Sequence, residues 1–302
     1  MLKTIEETKK ELASVGYYAD NKTAAAISVM LFCEKPLLIE GDPGVGKTFL
    51  AEATSKMLDI PLVRLQMYEG LTDDKVLYDY DYQRQLLTLE AIKPKLEDEY
   101  AEYNSKEMIS AIANSLDFYG PDFLIKRPVL KSIDGDGKKV LLIDEIDKAP
   151  EEVEYMLYEF LENYSITIPQ YGEISCDPEI KPIVFLTSNN YRELSDAIKR
   201  RCNYLYIDKK TKDDIVEILK MTTQIDEKFA EKIAIFQTVL SEENGIKKLP
   251  SLSELIEWSK FIKNTGNDIK EFALTMIVKE QKDREKISKL YDKVFTEDEK
   301  VE

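Results

Sequence analysis

The clearest chemical signal in the sequence is an eight-residue loop, Gly41-Asp42-Pro43-Gly44-Val45-Gly46-Lys47-Thr48. It matches G-x-x-x-x-G-K-[ST] at every fixed position. Glycines at this spacing let backbone N–H groups turn inward around phosphate oxygens, while Lys47 reaches the outer phosphates and the Thr48 hydroxyl can ligate Mg²⁺. An apolar run precedes the loop, and a helix predicted through Leu58 follows with its N-terminus facing the anion. The segment therefore predicts a site for the phosphates of a nucleotide.

A second apolar run, 140–143, ends in two acids, Asp144 and Glu145. At the end of a buried strand, Asp144 can hold Mg²⁺ through water, and Glu145 can polarise an attacking water. The chain has no histidine, which removes histidine-dependent catalysis and histidine-ligated metals. A carboxylate is then the natural general base. By itself, the run with its two acids would be interpreted as a buried strand that ends in a solvated acidic turn. In a chain that also contains the loop 41–48, it indicates nucleotide hydrolysis.

Two weaker candidates follow the apolar run 183–186. Asn189, with Asn190 beside it, stands where an amide could bond a γ-phosphate or the lytic water, although asparagine at a strand end is usually a turn residue. Arg200 and Arg201 end a short predicted helix. A basic pair there commonly complements the helix dipole, but it could also reach a neighbouring subunit's nucleotide as an arginine finger.

The elements that must position these residues alternate between strands and helices. Short apolar runs predict strands buried on both faces of a parallel sheet. The predicted strands are 36–39, 62–65, 140–143 and 183–186, and the predicted helices are 22–33, 47–58 and 151–162. This alternation predicts a doubly wound α/β fold.

Two hairpins are predicted to interrupt the sheet, 76–82 with 86–92 and 165–169 with 172–175. The hairpins contain four tyrosines, Tyr78, Tyr80, Tyr82 and Tyr171. We expect these side chains to be exposed and suited to contact with another protein. From about residue 208, apolar residues recur at helical spacing and glycine and proline are scarce. We therefore predict an α/β domain over 1–207 and a smaller all-helical domain over 208–302.

Composition narrows the class of protein further. The 42 basic and 58 acidic side chains give a net charge of −16, which argues against nucleic acid or an anionic membrane as a partner of the whole surface. Cys33, Cys176 and Cys202 form no CxxC pair, which is typical of a reduced compartment. The charged N-terminus is unlike a signal peptide, and the longest uncharged apolar stretch, 23–33, is too short to span a membrane. We expect a cytoplasmic protein.

In this order the motifs resemble those of the AAA+ ATPases, and within them the MoxR-like branch. The resemblance rests on GDPGVGKT (41–48) as Walker A, VLLIDEID (140–147) as Walker B, LTSNN (186–190) as sensor 1 and LSDAIKRRC (194–202) as the arginine-finger segment. Further stretches look like the CoxD-like subgroup, which is tied to maturation of metal-containing enzymes such as carbon monoxide dehydrogenase. They are RLQMYEGL (64–71), FLIKRPVLKSI (123–133), SNNYRELSDAIKRRC (188–202) and KLPSLSELIEW (248–258).

The resemblance implies a P-loop AAA+ core with a helical lid, and a chaperone or remodelling ATPase that uses ATP and Mg²⁺ in a homo-oligomeric, hexameric ring. It makes Lys47 and Thr48 the phosphate and Mg²⁺ contacts, with Asp144 as the metal-side acid. Glu145 becomes the base and Asn189 the sensor. Arg201 becomes the finger, with Arg200 as second choice. A von Willebrand factor A-type adaptor and a metalloenzyme client are the implied partners.

The lid segment departs from the family pattern. Ser251 follows Pro250 where many relatives carry an arginine, so that Lys247 or Lys248 is the candidate replacement. The adenine is expected near residues 16–20. Two other functions stay open: a nucleotide-gated binding scaffold with little turnover, and a GTP-dependent motor on nucleic acid. The acidic charge and the missing NKxD motif argue against the motor.

Overall fold

The computed structural model describes residues 3–99, 117–265 and 270–295. The strands in these ranges are β1 (Leu37–Gly41), β2 (Leu62–Gln66), β3 (Tyr78–Tyr80), β4 (Leu124–Lys126), β5 (Val140–Asp144), β6 (Ser165–Ile168), β7 (Gly172–Ser175), β8 (Ile183–Ser188) and β9 (Asn203–Ile207). The helices before β5 are α1 (Ile5–Ser14), α2 (Asn21–Cys33), α3 (Lys47–Leu58), α4 (Asp73–Val76), α5 (Tyr82–Glu99) and α6 (Pro128–Ile133). Those after β5 are α7 (Glu151–Asn163), α8 (Asp196–Arg201), α9 (Lys212–Thr223), α10 (Glu227–Glu242), α11 (Leu252–Thr265), α12 (Lys270–Ile277) and α13 (Arg284–Phe295).

Five of the described strands form one sheet in the order β2-β5-β8-β1-β9. Strand β1 pairs in parallel with β9, and β2 pairs in parallel with β5. All residues of β5 and β8 are buried, as expected for strands covered on both faces. The predicted α/β class with a parallel sheet is confirmed. Strand β9 escaped prediction because exposed Tyr204 and Tyr206 alternate with buried Leu205 and Ile207 and interrupt the apolar run.

One compact unit comprises Met1–Asp59, Leu186–Tyr191 and Asn203–Glu302. It contains the phosphate-binding loop, the end of β8 and the C-terminal helices. Between residues 208 and 295 the described elements are helices, as predicted, whereas the domain boundary at 207/208 stays a prediction. Their core is built around Trp258, whose indole contacts the rings of Phe236 and Tyr291. A capping box formed by Thr211 and Asp214 starts α9.

The second compact unit comprises Ile60–Phe185 and Arg192–Cys202. Strands β6 and β7 form the predicted antiparallel hairpin. The hairpin predicted over 76–92 is wrong, because β3 pairs with β4 and the second half of the segment is helix α5. Leu86, Leu89 and Ile92 recur every three residues, which suits one face of a helix better than a strand.

The tyrosines expected to be exposed divide into two groups. Tyr82 is 62% exposed and Tyr171 is also exposed, whereas Tyr80 is buried and Tyr78 is partly buried. The expectation is therefore wrong for Tyr80, whose ring packs edge-on against Tyr78 and Tyr119. Across the residues that the structure describes, no helix is both long enough and apolar enough to cross a membrane.

A buried ion pair holds the segment that carries Arg200 and Arg201 against helix α7. The Arg192 guanidinium pairs with Glu154, whose side chain is almost fully buried. Arg192 Nη2 also donates to the carbonyl oxygen of Ala149 at 2.8 Å, and the backbone N–H of Ser195 donates to Glu154 at 3.3 Å. These contacts place the start of α8 on α7.

Arg192→Ala should lower the free energy of unfolding by about 3–5 kcal/mol, because it leaves the Glu154 carboxylate buried without its cation. Urea denaturation measures the loss. Lys199→Ala is the matched control, since it breaks the solvent-exposed pair with Glu193 in the same segment and should cost less than about 1 kcal/mol. Similar losses in the two variants would contradict a structural role for the buried pair.

Candidate functional site

Lys47 lies at the base of the loop between β1 and α3, in the first unit. Its side chain is nearly buried, with 7% of the residue exposed. The Nζ atom donates to the carbonyl oxygens of Gly41 and Asp42 at 2.7 and 2.9 Å, and to Asn189 Oδ1 at 2.7 Å. The structure thus brings together the loop lysine and the asparagine that the sequence pointed to separately.

The backbone of the loop requires glycine at two positions for different reasons. A Cβ atom on Gly41 would lie 2.5 Å from the carbonyl oxygen of Ile207, on the paired strand β9. Gly44 has φ of +83°, and a Cβ atom there would lie 3.2 Å from Ser251 Cβ. Ser251, which follows Pro250, therefore lies directly against the loop.

Gly46, the last residue before helix α3, has a left-handed backbone conformation with φ of +99°. Among the described residues, no side chain caps the first turn of this helix. The N-terminal N–H groups and the positive end of the helix dipole are what an anion needs. Thr48, in the first turn, is half-buried, and Val45 is buried while Pro43 is exposed.

Asn189 and Asn190 have different environments at the end of β8. Asn190 has a left-handed backbone, with φ of +60°, and its amide nitrogen faces the Glu40 carboxylate at 3.1 and 3.3 Å. The Tyr204 hydroxyl donates to the same carboxylate at 2.9 Å. Burial and this bond to Glu40 raise the pKa of Tyr204 to about 12. Of the two asparagines, Asn189 is the one that contacts Lys47.

A cavity of about 640 Å³ adjoins the loop within the same unit. Its walls are residues 42–45 of the loop, residues of helices α10 and α11, including Leu255, and Ser251, which precedes α11. Four lysines also line it: Lys209, Lys210, Lys248 and Lys279. Of the two candidate replacements for the missing arginine, Lys248 is at the cavity and Lys247 is not among its lining residues. Volume and charge both suit a nucleotide-sized polyanion.

Two ion pairs lie on the wall of this cavity. Lys209 Nζ is 3.1 Å from Asp42 Oδ2, and Lys279 Nζ is 2.7 Å from Glu254 Oε1. Partial burial by itself would raise the pKa of Glu254, but its bonds to Lys279 and to the N–H of Ser251 outweigh burial and lower that pKa below its ordinary value. Glu254 therefore stays ionised and keeps Lys279 in place.

The segment expected near the adenine contributes one side chain to the loop. The Tyr17 ring is buried, packs on Phe49 with centroids 5.7 Å apart, and lies beside Gly46. Its hydroxyl has no hydrogen-bond partner within the described part of the chain. Burial, with the nearby Asp20 carboxylate, raises the pKa of this phenol, so it stays neutral. Tyr18 bonds instead to Asp214.

Asp144 and Glu145 lie in the second unit, at the end of β5. Glu145 has a left-handed backbone, with φ of +57°, as the chain passes from the strand into a 3₁₀ turn. Its Oε2 accepts from Lys148 Nζ at 2.8 Å and from Gln66 Nε2 at 2.9 Å. Asp144 is buried, and its Oδ2 lies 2.5 Å from Arg64 Nη2.

The candidate finger residues also lie in this unit, on helix α8. Arg201 pairs with Glu162, donates from Nη1 to the carbonyl oxygen of Ala197 at 3.1 Å, and lies 5.1 Å from the centroid of the Tyr158 ring. Arg200 is exposed. In this conformation Arg201, the first choice for the arginine finger, contacts residues of its own chain.

Sequence reasoning missed the polar partners of the two acids, Arg64 and Gln66. A signal was present, because both residues interrupt strand β2 (LVRLQ) at alternate positions. A strand buried on both faces should be apolar throughout. Arg64 and Gln66 are exposed in β2, so the prediction that this strand is buried on both faces is wrong, and the face that carries them is polar.

The fold and the loop define the class of protein: an α/β protein with a P-loop for nucleotide binding. Residues 36–202 match the family model described as AAA domain (dynein-related subfamily). The match covers more than half of the chain, which therefore belongs to this family of AAA+ ATPases.

Comparison with solved structures returned Thermotoga maritima RuvB, described as a Holliday junction branch migration motor. It is 17% identical, with a TM-score of 0.42, and the alignment covers 98% of this chain and 72% of that one. Two mutants of that protein give identities of 17% and 18% and TM-scores of 0.43 and 0.45, covering 90% and 96% of this chain and 68% and 71% of theirs. Likenesses at this TM-score do not bear on what this chain does. No curated protein matched.

Proposed function

We propose that the protein is an ATPase in which Lys47 and the loop 41–48 bind the phosphates of ATP and Glu145 activates the attacking water. Asn189 orients the γ-phosphate or that water. Thr48 and Asp144 supply the hard oxygen ligands that Mg²⁺ prefers, and the bound ion would neutralise charge on the phosphates. The described residues contain no cluster of acids, cysteines or histidines able to hold a metal alone, which fits an ion completed by phosphate oxygens and water.

The observation that carries this proposal is the environment of Lys47. The ammonium group of Lys47 is nearly buried and donates to neutral oxygens of the loop and of Asn189, at the N-terminus of helix α3, where the N-cap residue Gly46 makes no side-chain hydrogen bond. Phosphate oxygens could replace these acceptors and gain a charge-assisted bond in exchange. The lysine-lined cavity beside the loop offers room for the rest of the nucleotide.

The biological role that we propose follows the MoxR-like and CoxD-like resemblance. The protein assembles as a hexameric ring in the cytoplasm and remodels a client. The client is a metalloenzyme in maturation, reached through a von Willebrand factor A-type adaptor. Segments 64–71 and 123–133 support this role because the resemblance extends into them beyond the ATPase motifs. A nucleotide-gated scaffold with little turnover is the alternative that a steady-state phosphate-release assay separates from an ATPase.

Lys47→Ala should abolish tight Mg·ATP binding, whereas Glu145→Gln should retain binding and lose about 10²–10⁴-fold in turnover. Calorimetry measures binding, and phosphate release measures turnover. Lys56→Ala, at the exposed end of the same helix α3, and Glu151→Gln, at the exposed start of α7, are the matched controls and should behave as wild type. Wild-type turnover in Glu145→Gln would show that another group is the base.

Arg201→Ala should bind ATP normally and lose about 10³-fold or more in turnover, because an arginine finger stabilises charge on the transferred phosphoryl group. Mixing it with Lys47→Ala subunits should restore part of the activity, since one variant supplies the pocket and the other the finger. Arg200→Ala tests the second choice in the same assay.

The contact between Arg201 and Glu162 provides the control for this experiment. Glu162→Gln weakens the intramolecular pair without removing the guanidinium, so it should retain turnover. If Glu162→Gln loses as much activity as Arg201→Ala, or mixed rings show no rescue, Arg201 acts within its own subunit and is not a finger.

Glu145→Gln with ATP should hold the client-bound state and recover a von Willebrand factor A-type protein or an apo-metalloenzyme in a pull-down. Lys47→Ala, which should not bind ATP, is the control bait and should recover neither. Recovery of nucleic acid alone, or stimulation of ATP hydrolysis by DNA and by no protein, would overturn the proposed client class.

A further inference from the structure

Strand β2 presents two polar side chains to the two acids at the end of β5. Side chains two residues apart on a strand lie on the same face, so Arg64 and Gln66 form a pair, and the register sets Gln66 opposite Asp144. Arg64 Nη2 is 2.5 Å from Asp144 Oδ2 and donates to Gln66 Oε1 at 3.3 Å. Gln66 Nε2 donates to Glu145 at 2.9 Å. The four side chains form a continuous polar chain within one compact unit.

Burial is distributed unequally along this chain. The Asp144 side chain is 5% exposed, whereas the Arg64 side chain is 48% exposed. A buried carboxylate requires a nearby cation, and in this structure the Arg64 guanidinium meets that requirement. The half-exposed arginine has room to swing into solvent, while the buried aspartate has no such freedom.

In the proposed ATPase the Asp144 carboxylate serves a divalent cation. A guanidinium at 2.5 Å from Asp144 Oδ2 and a divalent ion at the same carboxylate would repel each other strongly in a poorly solvated place. The two cations therefore compete for one acid. The more solvated partner, Arg64, is the one that can leave at lower cost.

We propose that Arg64 is a positioning residue that takes the place of the divalent cation at Asp144 and is displaced when that cation binds. Because Gln66 contacts both Arg64 and Glu145, the displacement removes one of the bonds that orient the Gln66 amide and hence the Glu145 carboxylate. Arg64 thereby couples occupancy of the cation site to the placement of the base. This inference rests on the proposed ATPase function for the roles of the two acids.

Mn²⁺ binding to the full chain with one equivalent of a non-hydrolysable ATP analogue, followed by electron paramagnetic resonance and compared with the analogue alone, tests the proposal. Arg64→Ala should bind Mn²⁺ about tenfold more tightly than wild type, because it removes a competing unit charge. Its thermal midpoint should fall below that of wild type in chelator and recover as Mn²⁺ is added. Arg64→Gln, which keeps hydrogen-bonding capacity toward Gln66, should show the same gain in affinity if Arg64→Ala does not fold.

Arg127→Ala is the matched control. Arg127 pairs with Asp79 at 3.0 Å in the same unit, with a similar exposure, so its removal should destabilise without changing Mn²⁺ affinity. Unchanged affinity in both Arg64 variants, or an equal gain in Arg127→Ala, would overturn the proposal. If the wild-type protein hydrolyses ATP but the Arg64 variants bind Mn²⁺ with unchanged affinity, only the proposed role of Arg64 is refuted. Tighter Mn²⁺ binding without wild-type hydrolysis refutes only the ATPase.

Discussion

The constraint on which the first unit depends is the near-complete burial of one ammonium group, that of Lys47. A charge removed from water must recover its hydrogen bonds inside the protein, and Lys47 does so from Gly41, Asp42 and Asn189. Two of these acceptors are backbone oxygens of the loop, so the loop must keep the conformation that only its glycines allow. The third acceptor joins the loop to the end of β8. Phosphate binding would exchange these oxygens for those of the ligand.

The second unit follows the same physical rule with the signs reversed. The two acids at the end of β5 each lie beside a cation: Asp144 beside Arg64, and Glu145 beside Lys148. Glu145 adopts a left-handed backbone, a conformation that costs a non-glycine residue free energy and persists only when its surroundings determine it. Strand β2 contributes to the position of both acids, because Arg64 contacts Asp144 and Gln66 contacts Glu145.

The charge that lines the cavity beside the loop is opposite in sign to the net charge of the chain. The chain carries a net charge of −16, yet the cavity beside the loop is lined by four lysines and two acids, Asp42 and Glu254. A basic concavity on a chain of negative net charge attracts a polyanion, while acidic surface repels it. Lys248 adds a cation to the cavity, whereas Ser251, which lies against Gly44, adds none.

The sequence alone determined the local features. A fixed spacing of glycines and a lysine specifies a loop conformation, and apolar runs of strand length specify buried strands, so the loop, four strands and the α/β class were all predictable. The partner of β3 was predicted wrongly as 86–92, because the alternation in 76–82 indicates a strand but does not encode which segment pairs with it; the actual partner, β4, comes after α5. Only the tertiary structure showed that Asn189 contacts Lys47 and that Arg64 pairs with Asp144. Such contacts depend on strand order and register, which short-range patterns do not encode.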